Sequence, residues 1–162
     1  MKAVIVCTSV SHGNTKRIAD VMGRVLDAPV VTPDEVDVAE LAGYDLVGFG
    51  SGIFTMDFHP RLRRFVGSLP ERDWRTAFVF ATSGLPEPGF RPYTRGLGRV
   101  LERKGFEVAE TFLCRGFDTY LPFRLVGGIR KGRPGPADLA AARAFAERLG
   151  ARMEHRSCPP SA

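Results

Sequence analysis

The chain has 162 residues, 44% of them hydrophobic and 25% charged, which excludes fibrous and wholly disordered classes and allows one core of useful size. Its net charge of +5 suits an acidic partner or a phosphorylated ligand, but the basic residues are too dispersed to read as a nucleic-acid stripe. No apolar run approaches the roughly 18–20 residues that span a bilayer, and Val4-Ile5-Val6 is too short for a signal peptide, so a cytoplasmic protein is expected.

Residues 3–7 are a continuous apolar run bounded by polar residues, the pattern of a strand buried on both faces of a parallel sheet. After Gly13, residues Ile18, Val21, Met22 and Val25 recur at helical spacing, with Lys16, Arg17, Asp20 and Arg24 on the other side. A short strand is expected at 29–32. Pro33-Asp34-Glu35 then reads as a helix start whose pattern dies by Gly43. Residues 45–51 form the next strand, and its Gly48 and Gly50 imply close approach of another backbone or a ligand. A loop over 52–59 leads into a helix from Pro60, with Leu62, Phe65, Val66 and Leu69 inward. Residues 76–81 are a fourth buried strand. A helix over 92–104 ends at Gly105, and residues 107–114 are a fifth strand. Residues 116–135 make a long Gly- and Arg-rich connection, and segments of that kind are functional or mobile in compact domains. The last helix is expected over 136–150.

Strands alternating with helices predict a parallel sheet with right-handed crossovers. The expected organisation is one domain over residues 1–152, with a disordered tail over 153–162. Cys7, Cys114 and Cys158 are odd in number and widely spaced, which fits neither a disulfide framework nor a zinc pattern. They read as two core residues and one tail thiol.

Three strand ends share one character. They are Thr8-Ser9-Val10-Ser11-His12-Gly13-Asn14-Thr15, Ser51-Gly52-Ile53-Phe54 and Thr82-Ser83-Gly84. In open α/β sheets, ligands sit beyond the carboxyl ends of the strands. Small hydroxyl residues and glycine at such an end let backbone N–H groups face an anion, and the following helix adds its own unpaired donors. A phosphate monoester is therefore the expected ligand of the first loop, with hydroxyls from Ser9, Ser11 and Thr15 and N–H groups from Gly13 and Asn14. The loop has neither the phosphate-loop spacing with Gly-Lys nor a dinucleotide fingerprint. No acidic cluster follows the first strand, which counts against a phospho-acceptor domain.

Taken in this order, the three segments resemble the flavodoxin family over most of the chain. The segment from Ser9 to Thr15, followed by Lys16-Arg17-Ile18-Ala19, is similar to the family's phosphate loop and first helix, with Val10 and His12 at two positions of its hydroxyl pattern. Ser51-Gly52-Ile53-Phe54 and Thr82-Ser83-Gly84 look like its two flavin-ring loops. The resemblance implies a three-layer flavodoxin-like fold with a five-stranded parallel sheet of order 2-1-3-4-5. It implies FMN held non-covalently by Ser9, Ser11, His12, Gly13, Asn14, Thr15, Ser51, Gly52, Ile53, Phe54, Thr82, Ser83 and Gly84. It assigns no catalytic side chain and no metal, and it makes Gly52 the carbonyl that turns toward the reduced ring. The function implied is electron transfer between redox partners. Two alternatives are a small FMN-dependent oxidoreductase acting on a quinone or porphyrinogen-type substrate, and a phosphate- or nucleotide-binding module without flavin.

Phe54 is the foremost aromatic candidate to cover the ring, with Phe58, Phe90 and Tyr93 behind it. His59 reads as a helix cap or a flavin neighbour. Trp74 reads as a plug at the edge of the core. Arg61, Arg63 and Arg64 form a basic cluster suited to docking an acidic redox partner or to plain solvation. No nucleic-acid partner is expected.

Overall fold

The computed structural model describes residues 1–10, 13–84, 89, 92–115 and 134–157. These residues form β1 (Ala3–Thr8), α1 (Asn14–Leu26), β2 (Val30–Val31), α2 (Val38–Leu41), β3 (Leu46–Phe54), β4 (Asp57–Phe58), α3 (Pro60–Ser68), β5 (Thr76–Ser83), α4 (Tyr93–Lys104), β6 (Glu107–Arg115) and α5 (Pro136–Ser157). The sheet order is β2-β1-β3-β5-β6, with every neighbouring pair on that path parallel. Counting parallel strands alone, this is the expected order 2-1-3-4-5. The sixth strand is β4, which folds back antiparallel on the end of β3 within the segment read from sequence as a loop.

Every residue of β1 and β5 is buried, as continuous apolar runs in a parallel sheet require. The two faces of the sheet carry separate cores. On one face α1 and α5 pack Ile18, Met22, Phe145 and Leu149 against Ile5, Phe78 and Phe80. On the other, α3 and α4 pack Leu62, Val66, Leu97 and Leu101 against Val4, Val6 and Phe49. Trp74 closes the edge of this second core, its ring stacked on Phe106 at 5.1 Å.

The glycines of β3 are explained by this packing and not by a ligand. Gly48 pairs with Phe78 and Gly50 with Phe80 on β5. A Cβ built on Gly48 would meet the Phe78 ring at 2.4 Å, and one on Gly50 would meet the Phe80 ring at 2.2 Å. Each Phe therefore lies across the neighbouring strand and fills the volume that the glycine leaves.

Two further expectations are corrected. The segment after Pro33 is not helical there. Glu35 accepts a hydrogen bond from the Thr32 N–H, and the one-turn α2 starts only after Asp37, whose side chain caps it by accepting from Ala39 N–H at 2.8 Å. The last helix does not stop at Gly150, and residues 153–157 are helix rather than tail. Met153 is buried on the α1/α5 core, and Arg156 forms a two-pronged ion pair with Glu107 of β6. Burial and pairing therefore extend the helix past a residue that commonly ends one. Residues 158–162, with Cys158, lie outside the described residues.

Cys7 and Cys114 are buried free thiols. Burial, with a smaller contribution from Asp20, pushes the Cys7 thiol up to about 12, so it packs as a small neutral core residue. No helix among the described residues is long and apolar enough to cross a membrane.

Candidate cofactor site

The chain order reverses between β1 and β3, and the register brings the three predicted segments side by side at the carboxyl ends of the strands. Thr8 of β1 pairs with Ser51 of β3, and Gly52 of β3 pairs with Thr82 of β5. A row of polar residues is buried there: Thr8, Asn14, Thr15, Ser51, Thr82 and Ser83. Burial of so many polar groups at one sheet edge is costly unless each finds a partner.

Among the described residues, Thr8 of this row finds none, and neither does the neighbouring Ser9. The hydroxyl oxygens of Thr8 and Ser9 are buried without a hydrogen-bond partner. Directly beyond them, α1 opens on Gly13, whose left-handed backbone (φ 66°) and missing side chain leave the helix start with no side-chain cap. A Cβ at Gly13 would meet nothing within 4 Å, so its glycine serves the backbone turn and not close packing. Unpaired hydroxyls facing the same end as an uncapped helix start form a concentration of donors and positive potential. Thr8 opens the loop read from the sequence but is not among the hydroxyl donors expected there, Ser9, Ser11 and Thr15.

Thr15 and Thr82 meet across the site, their hydroxyl oxygens 2.7 Å apart and both residues buried. This bond ties the first turn of α1 to the end of β5. Ser51 braces the middle segment, its hydroxyl donating to the Gly52 carbonyl at 2.8 Å and accepting from the His59 N–H at 3.0 Å. Gly52 lies within β3, and a Cβ there would stand 3.2 Å from the Phe54 ring and 3.7 Å from the Thr15 hydroxyl.

The tip of the β3–β4 hairpin is Thr55-Met56, and both residues have positive φ, 47° and 64°. Two-residue hairpin loops favour such angles, usually with Asn or Gly supplying them. A threonine and a methionine there carry backbone strain, and neither signals such a turn in sequence. Met56 also stands 46% exposed.

His59 caps α3, its Nδ1 accepting from the Arg61 N–H at 3.2 Å. Its ring meets Phe54 edge-on, with centroids 5.2 Å apart. Burial, and then the Arg64 charge, holds the imidazole below its usual pKa. Phe54 is half-buried beside the site. Phe58 is a core residue instead, 1% exposed and packed edge-on against the buried Tyr93, so neither is free to cover a ligand. Ile53 pairs with Phe58 in the hairpin, and Gly84 directly follows β5. Ser11, His12 and Phe90 lie outside the described residues, as does most of the 116–135 connection.

The order of the strands and the polar edge at the reversal between β1 and β3 define a doubly wound α/β domain. The flavodoxin-domain family model matches residues 5–98. An uncharacterized protein of Methanocaldococcus jannaschii is 35% identical over 149 residues, covering 92% of this chain and 98% of the relative. The chain belongs to the flavodoxin family. Its fold is similar to that of oxidised Flavodoxin 2 from Bacillus cereus, with a TM-score of 0.72, 19% identity and coverage of 94% and 99% of the two chains. A flavodoxin from the domain Archaea gives a TM-score of 0.69 at 19% identity, covering 96% of this chain and 100% of that one. Rubredoxin oxygen:oxidoreductase from Desulfovibrio gigas gives 0.71 at 15% identity, with 98% of this chain on 37% of that one.

Proposed function

We propose that this chain binds FMN non-covalently at the carboxyl ends of β1, β3 and β5 and carries electrons between redox partners. The observation that carries the reading is the pair of buried, unpartnered hydroxyls of Thr8 and Ser9 at the uncapped start of α1. A phosphate monoester supplies the acceptor oxygens that these donors lack. The N–H groups of α1, with Gly13 and Asn14, extend the cradle, and Ser11 and His12 belong to it by resemblance. Thr15 joins as a donor when Thr82 gives it a hydrogen bond, because a hydroxyl can accept one bond and donate another.

Bound FMN supplies the redox chemistry, and the chain supplies position and environment. Phe54 offers a ring face beside Gly52. Ser51 holds the Gly52 carbonyl and loses that bond if the peptide turns. Ile53, Ser83 and Gly84 border the remaining space. Flavodoxin membership supports the electron-carrier reading.

The test is the visible spectrum of the purified chain, before and after titration with FMN. Binding should appear as flavin absorbance that stays with the protein through gel filtration, with quenched fluorescence. Ser9→Ala should weaken FMN about tenfold to a hundredfold, the effect of one charge-assisted hydrogen bond. A chain that stays colourless and unshifted in melting temperature at millimolar FMN would overturn the reading.

A further inference from the structure

The two layers of helices differ in how many acids accompany their basic residues. On the α1/α5 layer, Lys16 pairs with Asp20, Arg148 and Arg152 with Glu110, and Arg156 with Glu107. On the α3/α4 layer, Arg61 pairs with Asp34 and Arg63 with Asp57. Arg64, Arg95, Arg99 and Arg103 are exposed and have no acidic partner among the described residues. Arg95, Arg99 and Arg103 follow one another at four-residue intervals along α4, with Glu102 the one acid of that helix. Arg17, Arg24 and Arg143 on the α1/α5 layer also have no acidic partner among the described residues. But α1 and α5 carry Asp20, Asp138, Glu147 and Glu154 where α3 and α4 carry Glu102 alone, so the positive field is stronger on the α3/α4 layer.

This field lies next to the site. His59 at the start of α3 touches Phe54, and Tyr93 at the start of α4 touches Phe58 of β4. The amino-terminal turns of both helices therefore flank the β3–β4 hairpin, with Met56 exposed at its tip. Four large hydrophobic residues are exposed among the described residues: Met1, Val10, Met56 and Leu113. Three of them, Val10, Met56 and Leu113, follow or end strands at the carboxyl side of the sheet. Met56 places an exposed apolar side chain between the two helix starts and their arginines, and apolar contact beside charge suits a protein-docking patch. Among the described residues no exposed aromatic side chain is interleaved with the arginines, as a nucleic-acid surface would favour.

We propose that the Met56 hairpin and the arginines of α3 and α4 form a docking face for an acidic redox protein. The proposal rests on the FMN reading for its purpose but not for its measurement. Attraction between unlike surfaces raises the encounter rate and is weakened by salt, the screening length being about 8 Å at 0.15 M. During turnover on this face, one electron leaves the reduced flavin and one ferric haem of the probe becomes ferrous.

The probe is ferricytochrome b5, an acidic haem protein, with the basic ferricytochrome c as its opposite. Binding to the chain is measured by calorimetry with and without FMN, and electron transfer by stopped flow after photoreduction. Binding and transfer to cytochrome b5 should both fall as salt rises. The triple variant R64E/R95E/R99E should weaken binding at least about tenfold and reverse the salt dependence. R24E/R143E/R148E makes the same change of net charge on the opposite layer and should stay within about twofold, with unfolding curves confirming that both variants fold. Equal losses in the two variants would show a net-charge effect and overturn the proposal. So would cytochrome b5 binding that salt leaves unchanged, or a single-stranded oligonucleotide binding more tightly than cytochrome b5 through the same arginines. Absence of flavin absorbance defeats the cofactor reading alone, since calorimetry still reads the docking. Flavin absorbance without cytochrome b5 binding defeats the docking alone.

Discussion

Thr15 and Thr82 are 67 positions apart in sequence, yet their hydroxyl oxygens share one buried hydrogen bond. Its polarity decides what Thr15 can do. If Thr82 donates, the Thr15 proton is left to point at a phosphate; if Thr15 donates, it is not. Thr82→Val removes the donor while keeping the volume. Under the proposed function it should weaken FMN about fivefold to tenfold, the worth of about 1 kcal/mol from one hydrogen bond. Riboflavin lacks the phosphate, so its affinity should stay within about twofold, and Thr82→Ser should restore FMN binding. Fluorescence titrations with both flavins check this. An equal loss for both would assign Thr82 to the ring and not to the phosphate. At this scale the sequence was informative about identity and blind to partnership. Ser9, Gly13, Asn14 and Thr15 stand out as small polar residues after an apolar run. Nothing in a linear pattern pairs Thr15 with Thr82, or reveals that Thr8 has a hydroxyl without a partner.

At the scale of elements, the β3–β4 hairpin and α3 behave as one unit joined by Ser51 and His59. The Ser51 hydroxyl holds the His59 N–H, and the His59 ring caps α3 through Nδ1. Protonation would remove that acceptor and place a cation beside Arg64. The folded pKa of His59 lies below its ordinary value near 6.5, so the unfolded chain binds the proton more tightly. The stability from the neutral ring is complete above about pH 6.5 and is lost as pH falls from there through the folded pKa. His59→Asn keeps a capping acceptor without the titration, and it should flatten this part of the profile. Urea midpoints between pH 5 and 8 give the comparison, and an unchanged slope in the variant would place the titration elsewhere. Most elements are legible because each periodic run carries its own stop or start, as with Pro60 and Gly105. The hairpin is not, because Thr55-Met56 lacks the Asn or Gly that announces such a turn. The extra length of α5 is not either, because Met153 and Arg156 act through partners on other elements.

For the whole molecule, the strand order follows from alternating apolar runs and helices, but the fit at the centre of the sheet does not. Gly48 and Gly50 read as room for another backbone or a ligand, and the room is taken by the side chains of Phe78 and Phe80 from the adjacent strand. The residue that fills the gap is 30 positions away in each pair, so only the register reveals it. This reading separates from the ligand reading by a double-mutant cycle followed by urea unfolding. Phe80 is fully buried, and Phe80→Ala should cost about 3–5 kcal/mol through lost contacts and a cavity. Gly50→Ala forces its Cβ into the ring and should cost about 1–3 kcal/mol by overpacking. In the double variant the methyl group enters the space that the ring vacates. Its cost should therefore fall short of the sum of the singles by at least about 1 kcal/mol, a coupling expected only of residues in contact. If Gly50 instead made room for a ligand, Gly50→Ala would leave the unloaded chain's stability unchanged and the cycle would be additive. The interlock also reaches the cofactor site. The ring of Phe80 stands in β5 two residues before Thr82, so the packing that sets the β3–β5 register also brings Thr82 beside Gly52.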